Sequence, residues 1–190
     1  MSAAPHSWQR VHLQQVTPQP WRNGGGLTHE LVSRPAGEWR WRVSVARIER
    51  DGPFSHFSGV QRHFAVLRGA GVELDIDGMR HTLHAGGEPL AFEGGQACHG
   101  RLLAGATLDF NLMSRAAPAQ LQRCRGQARP AWHSGHIAGL YACAPARLEG
   151  GGQDWTLQAD ELLWTEHLAA GDWLVQGEDV LAFSLKVEPA

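Results

Sequence analysis

Apolar residues in this chain recur at every second position, in short runs, and seldom at the spacing of a helix. In "WRWRVSVARI" the residues Trp39, Trp41, Val43 and Val45 share one face, while Arg40, Arg42, Ser44 and Ala46 share the other. "TLDFNLM" places Leu108, Phe110 and Leu112 on one side and Thr107, Asp109, Asn111 and Met113 on the opposite side. "RHFAVLRG" leads to "VELDI", then Asp77-Gly78, then "MRHTL"; an Asp-Gly pair between alternating runs is a strong hairpin signal. With 23 Gly and 10 Pro punctuating the chain, this pattern predicts an all-β sandwich or barrel.

A chain of 190 residues suits one domain or two small halves sharing one core. It carries 17 basic and 19 acidic residues, a formal charge of −2, and no basic run, so no nucleic-acid footprint is read. No stretch approaches the roughly 18 apolar residues of a membrane span, and no signal-peptide profile opens the chain. Cys98, Cys124 and Cys143, odd in number and irregularly spaced, fit reduced thiols of a cytoplasmic protein. The 11 histidines are scattered; the pairs His81/His84 and His133/His136 do not make a zinc site by themselves.

The second half echoes the first. "LDFNL" at Leu108–Leu112 resembles "LAFSL" at Leu181–Leu185, and "GEPLAF" resembles "ADELLW". The echo predicts two barrel halves in one chain, 1–117 carrying N-terminal strands and the ligand site and 118–190 a degenerate copy, joined through Pro118–Pro130. Asp109 and Asn111 become Ala182 and Ser184 in the second copy, so a polar site belongs in the first. The stretch Gln158–Ala169, with some helical character, is read as strand and turn on the same ground.

Four ordered blocks, "WRNGGGLTHE", "WRVSVARI", "GPFSHFSGVQR" and "DFNLM", together resemble the HutD/Ves family over about residues 8 to 187. The resemblance implies a cupin-like double-stranded β-helix with two barrels in one chain, a bicupin. It also implies an association with histidine utilisation and a role in binding a pathway metabolite. Trp21, Asn23, Thr28 and Glu30 match the family pattern and are expected to border the pocket. The glycine triplet reads as a tight turn at the barrel mouth rather than a phosphate cradle, because "LTHELVSRP" after it looks like a strand and not a helix.

Metal-bearing cupins place His-x-His and then Glu before a glycine. Here Gly69 lies seven residues after Arg62, which puts Arg62 at the Glu position and the His pair on Ser55 and Phe57 or on His56 and Ser58. In the second motif Phe92, Ala97 and Arg101 stand where Pro, His and Asn are usual; His99 replaces the lost ligand only if a bulge shifts the register. A guanidinium has no lone pair for a metal, so no metal and no cofactor are expected. Arg62 instead offers two parallel, charge-assisted hydrogen bonds to a carboxylate. Arg42 could add a second fork, Ser44 and Ser55 hydroxyls, and Asp109 and Asn111 partners for nitrogen, with Trp41, Phe57 and Phe92 as walls.

This constellation predicts a non-metal protein that binds a small carboxylate, such as an acylated glutamate, urocanate or a formate-like ion, as a sensor or modulator. The rival is an enzyme of amino-acid catabolism using Asp109, Glu30 and His63 or His56 for acid–base chemistry, although no catalytic constellation is legible. A third class is a partner-binding barrel, where the eight tryptophans form an exposed patch covered by homodimerisation. For single residues the plain alternatives are a cross-strand ion pair for Arg42, a bridge from Arg62 to Asp109 or Glu30, and structural hydrogen bonds for Asp109 and Asn111.

Overall fold

A computed structural model describes residues 7–115 and 117–186. Its strands in chain order begin with β1 (Gln9–His12), β2 (Gln19–Pro20), β3 (Gly26–Arg34), β4 (Trp41–Ile48), β5 (Gly52–Pro53) and β6 (Val60–Arg68). They continue with β7 (Val72–Ile76), β8 (Met79–Leu83), β9 (Leu90–Glu93), β10 (Cys98–Leu102), β11 (Thr107–Arg115) and β12 (Ala119–Ala128). The last are β13 (Ile137–Ala142), β14 (Ala146–Gly150), β15 (Gln153–Leu157), β16 (Glu161–Thr165) and β17 (Leu174–Leu185). A single 3-10 turn, Leu13–Gln15, is the one helical element among the described residues, and no helix is long and apolar enough to cross a membrane. The chain divides into two compact units, Val16–Ala116 and a second made of Met1–Gln15 with Ala117–Ala190.

In the unit Val16–Ala116 a six-stranded sheet, β2-β3-β4-β11-β6-β9, and a four-stranded sheet, β5-β10-β7-β8, enclose one apolar interior. The register of β4 against β11 is regular from Ile48↔Thr107 to Trp41↔Ser114. Alternation therefore turns Arg42, Ser44, Ala46 and Ile48 inward beside Thr107, Asp109, Asn111 and Met113. Strand β6 joins with a bulge opposite Leu108/Asp109 and turns Arg62, Phe64 and Val66 inward. The lower interior is Ile48, Phe64, Val66, Val72, Leu74, Ile76, Phe92 and Cys98, all buried. Each fully buried apolar side chain contributes about 1.5–3 kcal/mol.

Two turns carry the backbone demands read from sequence. Asp77 (φ 48°) and Gly78 (φ 84°) are both left-handed, the conformation of a tight hairpin turn, and Ile76 pairs with Met79 across it. At the glycine triplet, Trp21 N–H donates to Gly26 O at 2.9 Å and Gly24 N–H to Trp21 O at 3.0 Å. A Cβ on Gly26 would sit 2.2 Å from Arg47 O, so β3 can approach β4 this closely only with glycine there. A strand follows this turn, not a helix.

The second unit is one sheet, β1-β16-β13-β17-β14-β15, with β12 alongside β17. Its pairing repeats that of the first unit. As β11 lies between β4 and β6, the second half of β17 lies between β12 and β13. As β9 pairs with β6 and β10 with β7, β16 pairs with β13 and the first half of β17 with β14. The segment Glu161–Thr165 is a strand within the stretch read as strand and turn. One boundary differs from expectation: β1, placed with the first barrel by sequence order, pairs with β16, so the N-terminal strand belongs to the second unit. Its partner edge offers unpaired backbone groups, which sequence proximity does not reveal.

Candidate functional site

A cavity of about 540 Å³ opens inside the unit Val16–Ala116. Three arginines line it, Arg22, Arg42 and Arg62, and among the described residues no Asp, Glu, His, Cys or Lys does. Arg62 is 5 % exposed. Its Nη2 donates to Asn111 Oδ1 at 2.9 Å, and its Nε has no hydrogen-bond partner. The guanidinium carbon lies 5.0 Å from the ring centre of Phe92, 5.2 Å from Phe54 and 5.9 Å from Phe57. Neither Asp109 nor Glu30 bridges to it; no described carboxylate is within ion-pair distance. Burial pulls its pKa down to about 10, with a small upward push from Cys98 and a downward one from Arg42. It remains a cation at neutral pH.

An unpaired buried charge costs several kcal/mol after relaxation. Ring faces return about 0.5–2 kcal/mol each and a single hydrogen bond to a charged group about 1.5–3 kcal/mol. A negative charge in the cavity would offset the remaining cost.

The remaining predicted residues fall at different depths. Arg42 Nε lies 2.8 Å from Glu30 Oε2, an ion pair whose angle falls short of an aligned hydrogen bond. Glu30 also accepts from the Ser33 hydroxyl at 2.7 Å. This is the cross-strand pair read as the plain alternative for Arg42, yet the same arginine lines the cavity. Ser44, buried, and Ser55, exposed at the mouth, both line it. Trp21 is held over the opening by its Nε1, which donates to Thr28 Oγ1 at 2.7 Å. Asn23 lines the rim and accepts from Gly25 N–H at 3.0 Å, so its side chain also braces the glycine turn. Phe92 acts through Arg62, against which it packs.

Several expected placements do not hold. Trp41 faces away from the cavity, because Arg42 and Ser44 point inward on the same strand and parity sends Trp41 outward. His63 follows Arg62 and is turned away for the same reason. His56 and His99 line a separate outer groove with Asp75 and Asp77, and β10 shows no bulge that would bring His99 inside. Asp109 lies beneath the lining rather than on it, fully buried, and accepts from the Thr107 hydroxyl at 2.7 Å. The exposed tryptophan patch is also absent, all eight being buried or half-buried. Sequence reading missed Phe54, Phe64, Met113 and Arg22 as lining residues. Inward parity on β6 and β11 points to Phe64 and Met113; nothing local points to the loop residues Phe54 and Arg22.

The donor set does not suit the metal that barrels of this kind carry. The described lining presents guanidinium groups and no carboxylate, imidazole or thiol, and no group of three or more His, Cys, Asp or Glu side chains converges among the described residues. Arg101, at the place of a second-motif polar residue, pairs instead with Glu73 at 3.0 Å.

In class, then, this is an all-β protein of cupin-like fold, with a strand-walled cavity that presents three arginines. A cupin 2 conserved barrel protein from Leptotrichia buccalis shares the fold, with a TM-score of 0.57 over 95% of this chain and 96% of that one at 9% identity. The chain belongs to the HutD family, whose profile matches residues 13–183. An uncharacterised 21.2 kDa protein of the hutC 3′ region of Pseudomonas putida is 40% identical over 140 residues, 72% of this chain and 69% of that protein. Protein Ves of Escherichia fergusonii is 37% identical over 99 residues, about half of each chain. Among solved structures, a conserved protein of unknown function from Pseudomonas aeruginosa PAO1 has a TM-score of 0.87 at 29% identity. It matches 95% of this chain and all of its own. HutD from Pseudomonas fluorescens SBW25 (formate condition) has a TM-score of 0.82 at 28% identity, with the same coverage.

Proposed function

We propose that the first of two cupin barrels in this chain binds a small carboxylate metabolite without a metal, and that the protein senses or modulates histidine utilisation. The observation that carries this reading is Arg62, a buried guanidinium with no acid partner among the described residues, in a cavity whose described lining has three arginines and no acids. A ligand carboxylate fits the free edge of that guanidinium through charge-assisted bonds. Asn111, already accepting from Arg62, holds the fork in plane, and the three phenyl rings exclude water around it. The family's relation to histidine utilisation favours N-formylglutamate- or urocanate-like ligands. The repeated pairing order supports the bicupin arrangement, and three free cysteines suit a reducing, cytoplasmic setting.

Binding is favoured over catalysis because the lining offers hydroxyls but no carboxylate, imidazole or thiol for proton transfer. Thermal unfolding with N-formylglutamate and with urocanate tests the proposal. A rise of several degrees at millimolar ligand, lost in Arg62→Gln, is the expected result. No shift with either compound in the unaltered protein removes it.

A further inference from the structure

The barrel that encloses Arg62 encloses a second ionisable side chain. Asp109 is 0 % exposed; its Oδ2 accepts from Thr107, and its Oδ1 has no partner. It stands two residues before Asn111 on the inward face of β11, about 7 Å along the strand. Asn111 is the residue that accepts from Arg62. Beside Asp109 the paired residues are Ala46 on β4 and Val66 on β6, neither able to compensate a charge.

The other ionisable groups facing this interior are few; Arg22, exposed in the turn after β2, lines the cavity from a loop. Arg42 on β4 is paired with Glu30 of β3 at 2.8 Å. Arg62 comes from β6. Cys98 comes from β10, its thiol pushed up to about 11 chiefly by burial and therefore neutral. The facing strand β7 contributes only Val72, Leu74 and Ile76. His63 on β6 is turned outward, and His56 lies in the outer groove.

We propose that anion capture at Arg62 is coupled to a proton on Asp109, the carboxyl being neutral when the anion is bound and its ionisation weakening the site. The coupling rests on the carboxylate-binding reading and adds its regulation. Two negative charges within one low-dielectric barrel repel, so an anion beside Arg62 favours the protonated acid, and the ionised acid disfavours the anion. The site is poised for this near neutrality, because burial raises the Asp109 pKa to about 7, against a smaller downward pull from Thr107. With no acid on the cavity wall, a ligand ammonium finds no counter-charge there, so the class favoured is a carboxylate without a free amine.

Acetate is a suitable probe, since it stays ionised across the range that matters. Its effect on the melting temperature is measured at pH 6.0, 7.2 and 8.5 and constant ionic strength, for the unaltered chain, Asp109→Asn and Arg62→Gln. Proton uptake is measured on the unaltered chain alone, by calorimetry in two buffers of different ionisation heat. The coupling predicts stabilisation by acetate at pH 6.0 that weakens toward pH 8.5, corresponding to about a tenfold fall in affinity. It also predicts a flat profile in Asp109→Asn, no effect in Arg62→Gln, and fractional proton uptake per acetate bound. A flat profile with no proton uptake in the unaltered chain overturns the coupling and leaves the Arg62 site standing. A slope that persists in Asp109→Asn also overturns it, since another group then titrates. No acetate effect beyond that in Arg62→Gln at any pH overturns both.

Discussion

The same strand-pairing order encloses two different interiors. In the first unit Asn111 sits between Ser44 and Phe64, and Asp109 between Ala46 and Val66. In the second unit Ser184 sits between Gln120 and Ala138, and Ala182 between Gln122 and Leu140. Around these positions the second interior is filled by Leu140, Leu148, Leu157, Leu163, Val175 and Val180. Four tryptophans close it: Trp8, Trp132, Trp155 and Trp173 pack with ring centres 5.2–6.2 Å apart. Trp173 presses against glycines, a Cβ at Gly150 falling 2.5 Å from its ring. One interior gains stability from filling its space; the other leaves space and keeps an unpaired cation. The scaffold does not decide between a site and a core. The inward residues of β4, β6 and β11 decide it.

The contrast breaks most readily on the filled side. Trp173→Ala is expected to cost about 3–5 kcal/mol in urea unfolding, because the cluster cannot collapse around glycine-lined space. A loss below about 1 kcal/mol would show that the tryptophans are not what stabilises this unit. On the open side, Arg62→Met should lower carboxylate affinity at least about 100-fold, a loss of nearly 3 kcal/mol. The same change should leave intrinsic stability equal or higher, because it removes an unpaired buried charge. Titration calorimetry and urea melts on one preparation measure both, and a marked loss of stability would mean that Arg62 is structural.

Asp109 sharpens the comparison through pH. Its folded-state pKa, about 7, lies above the unfolded value near 3.9, so the native state holds a proton that the unfolded chain has released. Stability contributed by this group is therefore full below about pH 4, falls as pH rises to about 7, and stays lowered above that. Asp109→Asn should stabilise the protein at pH 8 relative to pH 5 by about 1–3 kcal/mol, read from urea midpoints at the two pH values. An unchanged difference would place the titration elsewhere. The smallest effect belongs to Glu30→Gln, which frees Arg42 at the half-exposed rim. It should change stability by under about 1 kcal/mol and raise carboxylate affinity a few-fold.

Much of the first interior was legible in sequence, since alternation alone sorted Arg42 and Ser44 from Val43 and Val45, and Asp109 and Asn111 from Phe110 and Leu112. The Asp77-Gly78 hairpin was legible because it rests on local backbone geometry. The same parity rule, applied consistently, excludes Trp41 as a wall beside Arg42. What stayed hidden depends on long-range pairing. The association of β1 with β16 joins residues about 150 apart in sequence, and no local pattern encodes it. The ring cage around Arg62 draws Phe54 and Phe57 from a loop, where side-chain direction follows no period. The depth of Asp109, below the cavity wall rather than on it, is likewise a matter of packing and not of strand parity.

A crystal structure of the chain grown with a small carboxylate shows whether Arg62 receives the anion. The carboxylate is expected against the Arg62 guanidinium, at hydrogen-bond distances of about 2.7–2.9 Å, with Asn111 still in contact and no protein acid replacing it. An Arg62 side chain turned to solvent or bridged to a protein carboxylate, with imidazoles gathered in the lumen, would contradict it.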